Sequence, residues 1–269
     1  MRALVFGVVL LLAATASALA QGAAPPDAVR DLAPTGKLRA AINFGNGVLA
    51  QKGPNDEPRG ITPDLATELA KRLGVPVEFV RYEAAGKVFE GAKAGAWDVG
   101  FIAIEPVRAA DIEFTAPYVI IEGTYMVAKD SPLKEVADVD KPGIRISVGL
   151  NSAYDLYLTR TLKHATLVRA QVGGGAAGIE LFVKDKLDAT AGVRQPLEIY
   201  AKAHPEMRVM AGAFQEIRQA MGMPKVDGKA RVTGAKYLAA FVEDMKASGF
   251  VADALKRSGQ TAVVAPPAR

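Results

Sequence analysis

The stretch Trp97–Lys129, WDVGFIAIEPVRAADIEFTAPYVIIEGTYMVAK, decides how the chain is read. Val99 to Ile104 is an apolar run suited to one buried strand, and Glu105-Pro106 breaks it. Proline fixes its own φ and biases the preceding residue toward extended geometry, so a helix can begin at Pro106. Arg108 then falls within the first helical turn. A second short strand (Ile112 to Phe114) and a kinked Ala116-Pro117-Tyr118 follow. In open α/β sheets, ligands sit outside the carboxyl ends of the strands. A guanidinium placed there offers a planar donor fork suited to a carboxylate, so a small-anion site is expected. A surface or interlobe salt bridge is the plainer alternative for Arg108.

Upstream, Gln21 to Thr35 is rich in alanine and proline and reads as a tether. Leu38 to Phe44 is a first strand, opening into a loop at Gly45-Asn46-Gly47. A helix starts at Thr62-Pro63-Asp64, with a capping residue, a proline and a first-turn acid. It carries Leu65, Leu69 and Leu73 at helical spacing, and Gly74 with Pro76 ends it. Val75 to Tyr82 is a strand, Val88 to Lys93 a helix, and Trp97 to Ile104 the third strand. This βαβαβ alternation calls for a parallel sheet with helices on its faces.

Downstream the pattern restarts. Strands are expected at Ile144–Val148, Thr166–Arg169 and Leu187–Ala191, and helices at Ser152–Leu162, Ala176–Lys184 and Pro196–Ala203. Two such units imply two lobes. A strand-like Gln219–Pro224 and two helices, Ala235–Ala247 and Val251–Arg257, close the chain before a loose tail at 261–269.

The first residues, a basic start, an apolar run from Ala3 to Ala14 and Ala18-Leu19-Ala20, describe a secretory leader over residues 1–20. The apolar run is too short to span a bilayer. The chain contains no cysteine, so packing rather than disulfides must hold it together. A soluble periplasmic product is expected. The net charge of +4 comes from 33 basic and 29 acidic residues. They are interspersed without a basic run, which argues against nucleic acid.

The order of elements and several motifs resemble a known family. Arg59-Gly60-Ile61-Thr62-Pro63-Asp64-Leu65 is similar to its helix entry, and Ala94-Gly95-Ala96-Trp97-Asp98 to its approach to the third strand. Pro106-Val107-Arg108 through Phe114-Thr115-Ala116-Pro117-Tyr118 resembles its P-x-R…D-F-S-x-P-Y block. Leu150-Asn151-Ser152 falls at its second-lobe helix start, and Phe241–Phe250 resembles its closing helix. Residues 37 to 260 thus resemble the periplasmic solute-binding proteins of polar amino-acid ABC importers, bacterial extracellular solute-binding protein family 3. The resemblance implies an α/β, two-lobed periplasmic binding protein-like (type II) fold with two hinge crossings, each lobe a mainly parallel sheet flanked by helices. The first lobe would take 37–126 and 220–260, and the second 127–219. The crossings would lie near Met126–Ala128 and Gln219–Gly222.

By the same resemblance Arg108 clasps the ligand's α-carboxylate. Ser152 caps a helix whose free N–H groups meet an anion. Asn43 and Asn46 occupy the loop where the family holds the ligand's side chain, and turn chemistry is their alternative role. Other positions depart from the family. Phe101 and Ala103 stand where hydroxyl residues are common. Ala85 replaces a stacking aromatic, and Val193, beside Arg194, replaces the acid that binds an α-ammonium. The hypothesis drawn is that Arg108 and Arg194 face each other across the cleft and favour an anionic ligand.

The expected function is capture of a small carboxylate-bearing solute by hinge closure and delivery to the permease subunits of an ABC importer, by a monomer. An enzyme on the same scaffold, a cyclohexadienyl dehydratase-like lyase, is the alternative. Glu105 and Glu122 could act as a general acid or base, but a solvated or structurally paired role is preferred for each. Gly173-x-Gly175-x-x-Gly178 formally matches a dinucleotide-binding pattern, yet Asp188 comes too early for its acid. These glycines are read instead as letting backbone approach the cleft. His164 and His204 stand alone, so no metal site is expected. No cofactor is expected either, because the importer's membrane subunits and ATPase would supply the energy.

Overall fold

The computed structural model describes residues 24–269. The leader expected over residues 1–20 lies outside the described residues. The chain opens with α1 (Pro26–Leu32), β1 (Leu38–Asn43) and a small ribbon of β2 (Gln51–Lys52) and β3 (Pro58–Arg59). Helix α2 (Ile61–Leu73), β4 (Val77–Tyr82), α3 (Ala85–Lys93) and β5 (Val99–Ala103) complete a first half. A single turn, α4 (Pro106–Ala109), leads into β6 (Ile112–Ala128). The second half has β7 (Arg145–Gly149), α5 (Ala153–Thr161), β8 (Thr166–Ala170), α6 (Gly174–Lys184), β9 (Ala189–Val193) and α7 (Arg194–Ala203). Then come β10 (Met207–Val209), β11 (Gln215–Pro224), α8 (Val232–Ala247), α9 (Phe250–Arg257) and β12 (Val263–Val264).

The main sheet runs β4-β1-β5-β11-β6-β9-β7-β8, with β10 and β12 added along β6. The halves share one topology. In the first, β1 lies parallel to β4 and β5; in the second, β7 lies parallel to β8 and β9. Strand β11 closes the first set antiparallel to β5, and β6 closes the second antiparallel to β9. The carboxyl ends of both parallel sets therefore open toward the region between the halves. Each half is a mainly parallel sheet flanked by helices.

Local chemistry explains the elements. Helix α2 buries Leu65, Leu69 and Leu73 and stops at Gly74, whose φ of 70° lets its N–H reach the Ala70 carbonyl. Its start differs from expectation. The N-cap is Gly60 at φ 110°, and Thr62 turns its hydroxyl to the Leu49 carbonyl at 3.3 Å. A Cβ at position 60 would stand 2.8 Å from that same carbonyl, so the close approach demands glycine. At the ends of the strands away from the cleft, buried Asp98 accepts from Arg39 N at 3.0 Å and Nη2 at 2.7 Å. This tie joins β1 to β5. Trp97 fills the space under α3 and donates Nε1 to the Val88 carbonyl at 2.9 Å.

Several expectations are corrected. Residues 21–36 are not wholly a tether: α1 buries Ala28 and Leu32, and Asp31 Oδ2 accepts from Gly234 N at 2.8 Å on α8. Its brevity and prolines hid one apolar face. The short strand Ile112–Phe114 continues through Pro117 as a 17-residue strand, with register shifts opposite at Gln219–Gly222 absorbing the missing donor. The tail is not loose either. Strand β12 pairs Val264 with Val119 and Val263 with Ile120, and Ala265 is buried.

The crossings also shift. Met126 already pairs with Thr190 of β9 and Val209 of β10, while Gln219–Gly222 pairs with β5. The two strands pass between the halves over Val119–Glu122 and Gln215–Arg218, upstream of the expected positions on each strand. One long strand serving two sheets leaves no break in an apolar run to mark it.

Leu32→Ala should destabilise the fold by about 2–5 kcal/mol in urea denaturation, the usual cost of truncating a buried leucine. A mere tether would show no change.

Candidate functional site

Between the halves lies a cavity of about 600 Å³, at the carboxyl ends of β1, β5 and β9 and the starts of α5, α6 and α7. Its size is ordinary for a small-molecule site. The wall includes Asn43, Asn46, Ala103, Arg108 and Ser152, all anticipated from the sequence. Ala85 and Val193, the positions implied to have lost an aromatic and an acid, also lie on it.

Arg108 is fully buried. Nη1 donates to the Ala103 carbonyl of its own half at 3.0 Å, and Nη2 to the Asn151 carbonyl of the other half at 2.8 Å. Its Nε–H is buried without a partner, and no carboxylate pairs with it among the described residues. Burial pushes the guanidinium down to about 10, against the opposing pull of Glu105. It stays protonated at neutral pH. Taking an unpaired cation out of water costs several kcal/mol, and two neutral carbonyls offset only part of that. The remaining N–H groups are suited to an anion.

The nearest acid is already engaged. Glu105, itself buried, accepts from Arg160 Nη1 at 2.5 Å and from Gln215 Nε2 at 2.9 Å. This pair also joins the halves, since Arg160 is on α5. Glu105 is therefore a structural partner rather than a free acid/base group.

The second-half wall is held by reciprocal capping. Ser152 Oγ accepts from Asp155 N at 3.0 Å, and the Asp155 carboxylate accepts from Asn151 N at 2.8 Å. Arg169 Nε secures Asp155 at 2.9 Å. The cap fixes the Asn151 carbonyl that meets Arg108 and aims the start of α5 at the cavity. Tyr154, next along, is buried on the wall, and burial pushes its hydroxyl up to about 12, so it remains a neutral donor.

Asn43 and Asn46 make the expected turn contacts and also reach the cavity. Their Oδ1 atoms accept from Gly45 N at 3.0 Å and Val48 N at 3.3 Å, shaping the turn, while the residues line the cavity. Glycines bring backbone to backbone at the mouth. A Cβ on Gly174, at the start of α6, would lie 3.0 Å from Gly45 Cα, and one on Gly86 would lie 2.8 Å from Asn151 Cβ. The GxGxxG run thus serves close packing, with Gly178 set against the β7 backbone.

Arg194 does not face Arg108. It begins α7 but turns to Glu122 Oε2 at 2.5 Å, Glu198 Oε1 at 3.7 Å and the Met210 carbonyl at 3.2 Å, and it is absent from the cavity wall. An acid on the crossing strand, remote in sequence, takes its charge. Phe101 is likewise buried in the core, edge-on to Tyr118 at 6.2 Å between ring centroids. Sequence reading missed Tyr154, Gln195, Gln219 and Gln260, which also line the cavity. Gln219, polar within an apolar strand, was the one readable sign. Gln260 arrives from the end of the chain with none. No group of three or more potential metal ligands occurs among the described residues.

The geometry is that of two α/β lobes enclosing a cleft, and comparison with known proteins agrees with it. Residues 49–261 match the model of the bacterial extracellular solute-binding proteins, family 3. The chain belongs to that family. No curated protein matches it. A solute receptor for L-cysteine of Neisseria gonorrhoeae superposes with a TM-score of 0.72 at 20% identity, covering 86% of this chain and 92% of that one. The ancestral amino-acid-binding protein AncCDT-1, a precursor of cyclohexadienyl dehydratase, gives 0.70 at 23% identity over 85% and 97%. A binding component of an ABC transporter from Wolinella succinogenes complexed with lysine gives 0.68 at 20% over 83% and 95%. The fold is the two-lobed type II periplasmic binding fold. No helix among the described residues is long and apolar enough to cross a membrane.

Gly86→Ala should leave folding intact, since alanine favours a helix over glycine by roughly 0.5–1 kcal/mol. The added Cβ should nevertheless hold the lobes apart, raising the radius of gyration measured by small-angle X-ray scattering. An unchanged radius would show that this contact does not govern closure.

Proposed function

We propose that this solute-binding protein works in the periplasm as the capture component of an ABC importer, holding a small solute by its carboxylate between the lobes. The buried, acid-free guanidinium of Arg108 carries this reading. A carboxylate would accept from its Nε–H and from the N-terminal N–H groups of α5, with the Ser152 hydroxyl alongside. The ligand would thereby supply the counter-charge that the protein withholds.

Closure follows from the same contacts. Arg108 belongs to the first lobe, and its Nη2 grips the second at Asn151. A solute touching both sides stabilises the closed form over the open one, and only that difference can shift the population. The proposed hinge is the pair of crossings at Val119–Glu122 and Gln215–Arg218, the covalent links between the lobes. The membrane permease and its ATPase would supply the energy of transport, so this chain needs no cofactor of its own.

Catalysis is the second reading, favoured by the resemblance to a dehydratase precursor. Against it, the one carboxylate on the cavity wall among the described residues is Glu83, which is exposed and paired with Lys52 Nζ at 2.7 Å. Binding alone accounts better for a wall with so little acid/base equipment.

Arg108→Met tests the reading in two ways. Removing an unpaired buried charge for an apolar chain of similar reach should leave stability without ligand equal or higher. Carboxylate binding by calorimetry should fall by about 2–5 kcal/mol. Retained binding, or collapse of the fold, would contradict the assignment.

A further inference from the structure

Resting on that reading, we infer that the solute is a monocarboxylic acid bearing a neutral hydroxyl or amide donor and no ammonium group. The inference comes from the balance of charge and hydrogen bonding over the whole cavity wall. Among the described residues, the wall carries one buried cation, Arg108, and one carboxylate, Glu83. Glu83 sits at the exposed rim and is engaged by Lys52. A single ligand carboxylate therefore brings the interior to neutrality.

An α-amino acid would bring a cation as well. Its ammonium would leave water beside Arg108 with no anion to receive it, and a desolvated charge needs a partner of opposite sign. Val193, on the wall where β9 meets α7, presents hydrocarbon. Arg194 adds positive charge behind it, already committed to Glu122.

What the wall offers instead is neutral. Gln195 lines the cavity, and its Oε1 is a buried acceptor without a donor among the described residues. Buried acceptors are rarely left so, and a ligand O–H or amide N–H would satisfy this one. Asn43, Asn46, Gln219 and Gln260 add further amides, while Ile102, Ile179, Leu197 and Ile217 supply an apolar side. The arrangement suits a hydroxy acid with a hydrocarbon or aromatic body.

The test is calorimetry on the mature protein with matched pairs that differ only at the α-substituent: L-phenylalanine against L-phenyllactate, L-leucine against L-2-hydroxyisocaproate, and L-glutamine against its 2-hydroxy analogue. The hydroxy acids should bind at least tenfold tighter than their amino partners, with that preference reduced in Gln195→Leu. In Val193→Asp, checked for folding by circular dichroism, the preference should shrink at least tenfold toward the amino acids. Equal or tighter binding of the amino acids to the native protein would overturn this inference and leave carboxylate capture standing. Failure of both classes to bind would overturn carboxylate capture as well.

Discussion

A positive charge held away from water without an acid beside it is the constraint around which this molecule is arranged. Arg108 has only backbone carbonyls as partners, one from each lobe. The nearest acid, Glu105, is turned to Arg160 and Gln215. Proteins seldom bury a charge without compensation, because nothing in the fold recovers the lost hydration. The expense has a sensible return when the missing counter-charge arrives as a ligand.

The rest of the architecture brings that charge to one place. Strand β5 ends at Ala103, Pro106 starts a single turn, and the turn delivers Arg108 to the carboxyl edge of the first sheet. Across the cleft, the Ser152–Asp155 cap fixes the start of α5, and Arg169 fixes Asp155. Glycines at 86 and 174 let the lobes approach each other closely. Asp98 and Arg39 secure the opposite ends of β1 and β5, so that motif supports the fold rather than the site.

Much of this was legible in the sequence because it is local. The leucine stripe of α2 with its Gly74 stop, the Pro106 break and the Ser152 cap each depend on neighbours a few residues away. Arg108 was found for the same reason. What stayed hidden depends on distant partners. Arg194 looked available for the cleft until folding brought Glu122 to it, 72 residues away in sequence. The crossings were misplaced because β6 runs unbroken from one sheet into the other. The face that docks α1 on α8, and the pairing of the tail with β6, become meaningful only once their receiving surfaces exist.

A crystal structure of the protein with a bound carboxylic acid addresses the central claim most directly. The account requires a carboxylate oxygen within hydrogen-bonding distance of Arg108 Nε, in a closed cleft, with the Nη2 contact to Asn151 retained. A ligand whose carboxylate points to solvent, or one seated in the closed cleft with Arg108 untouched, would contradict it.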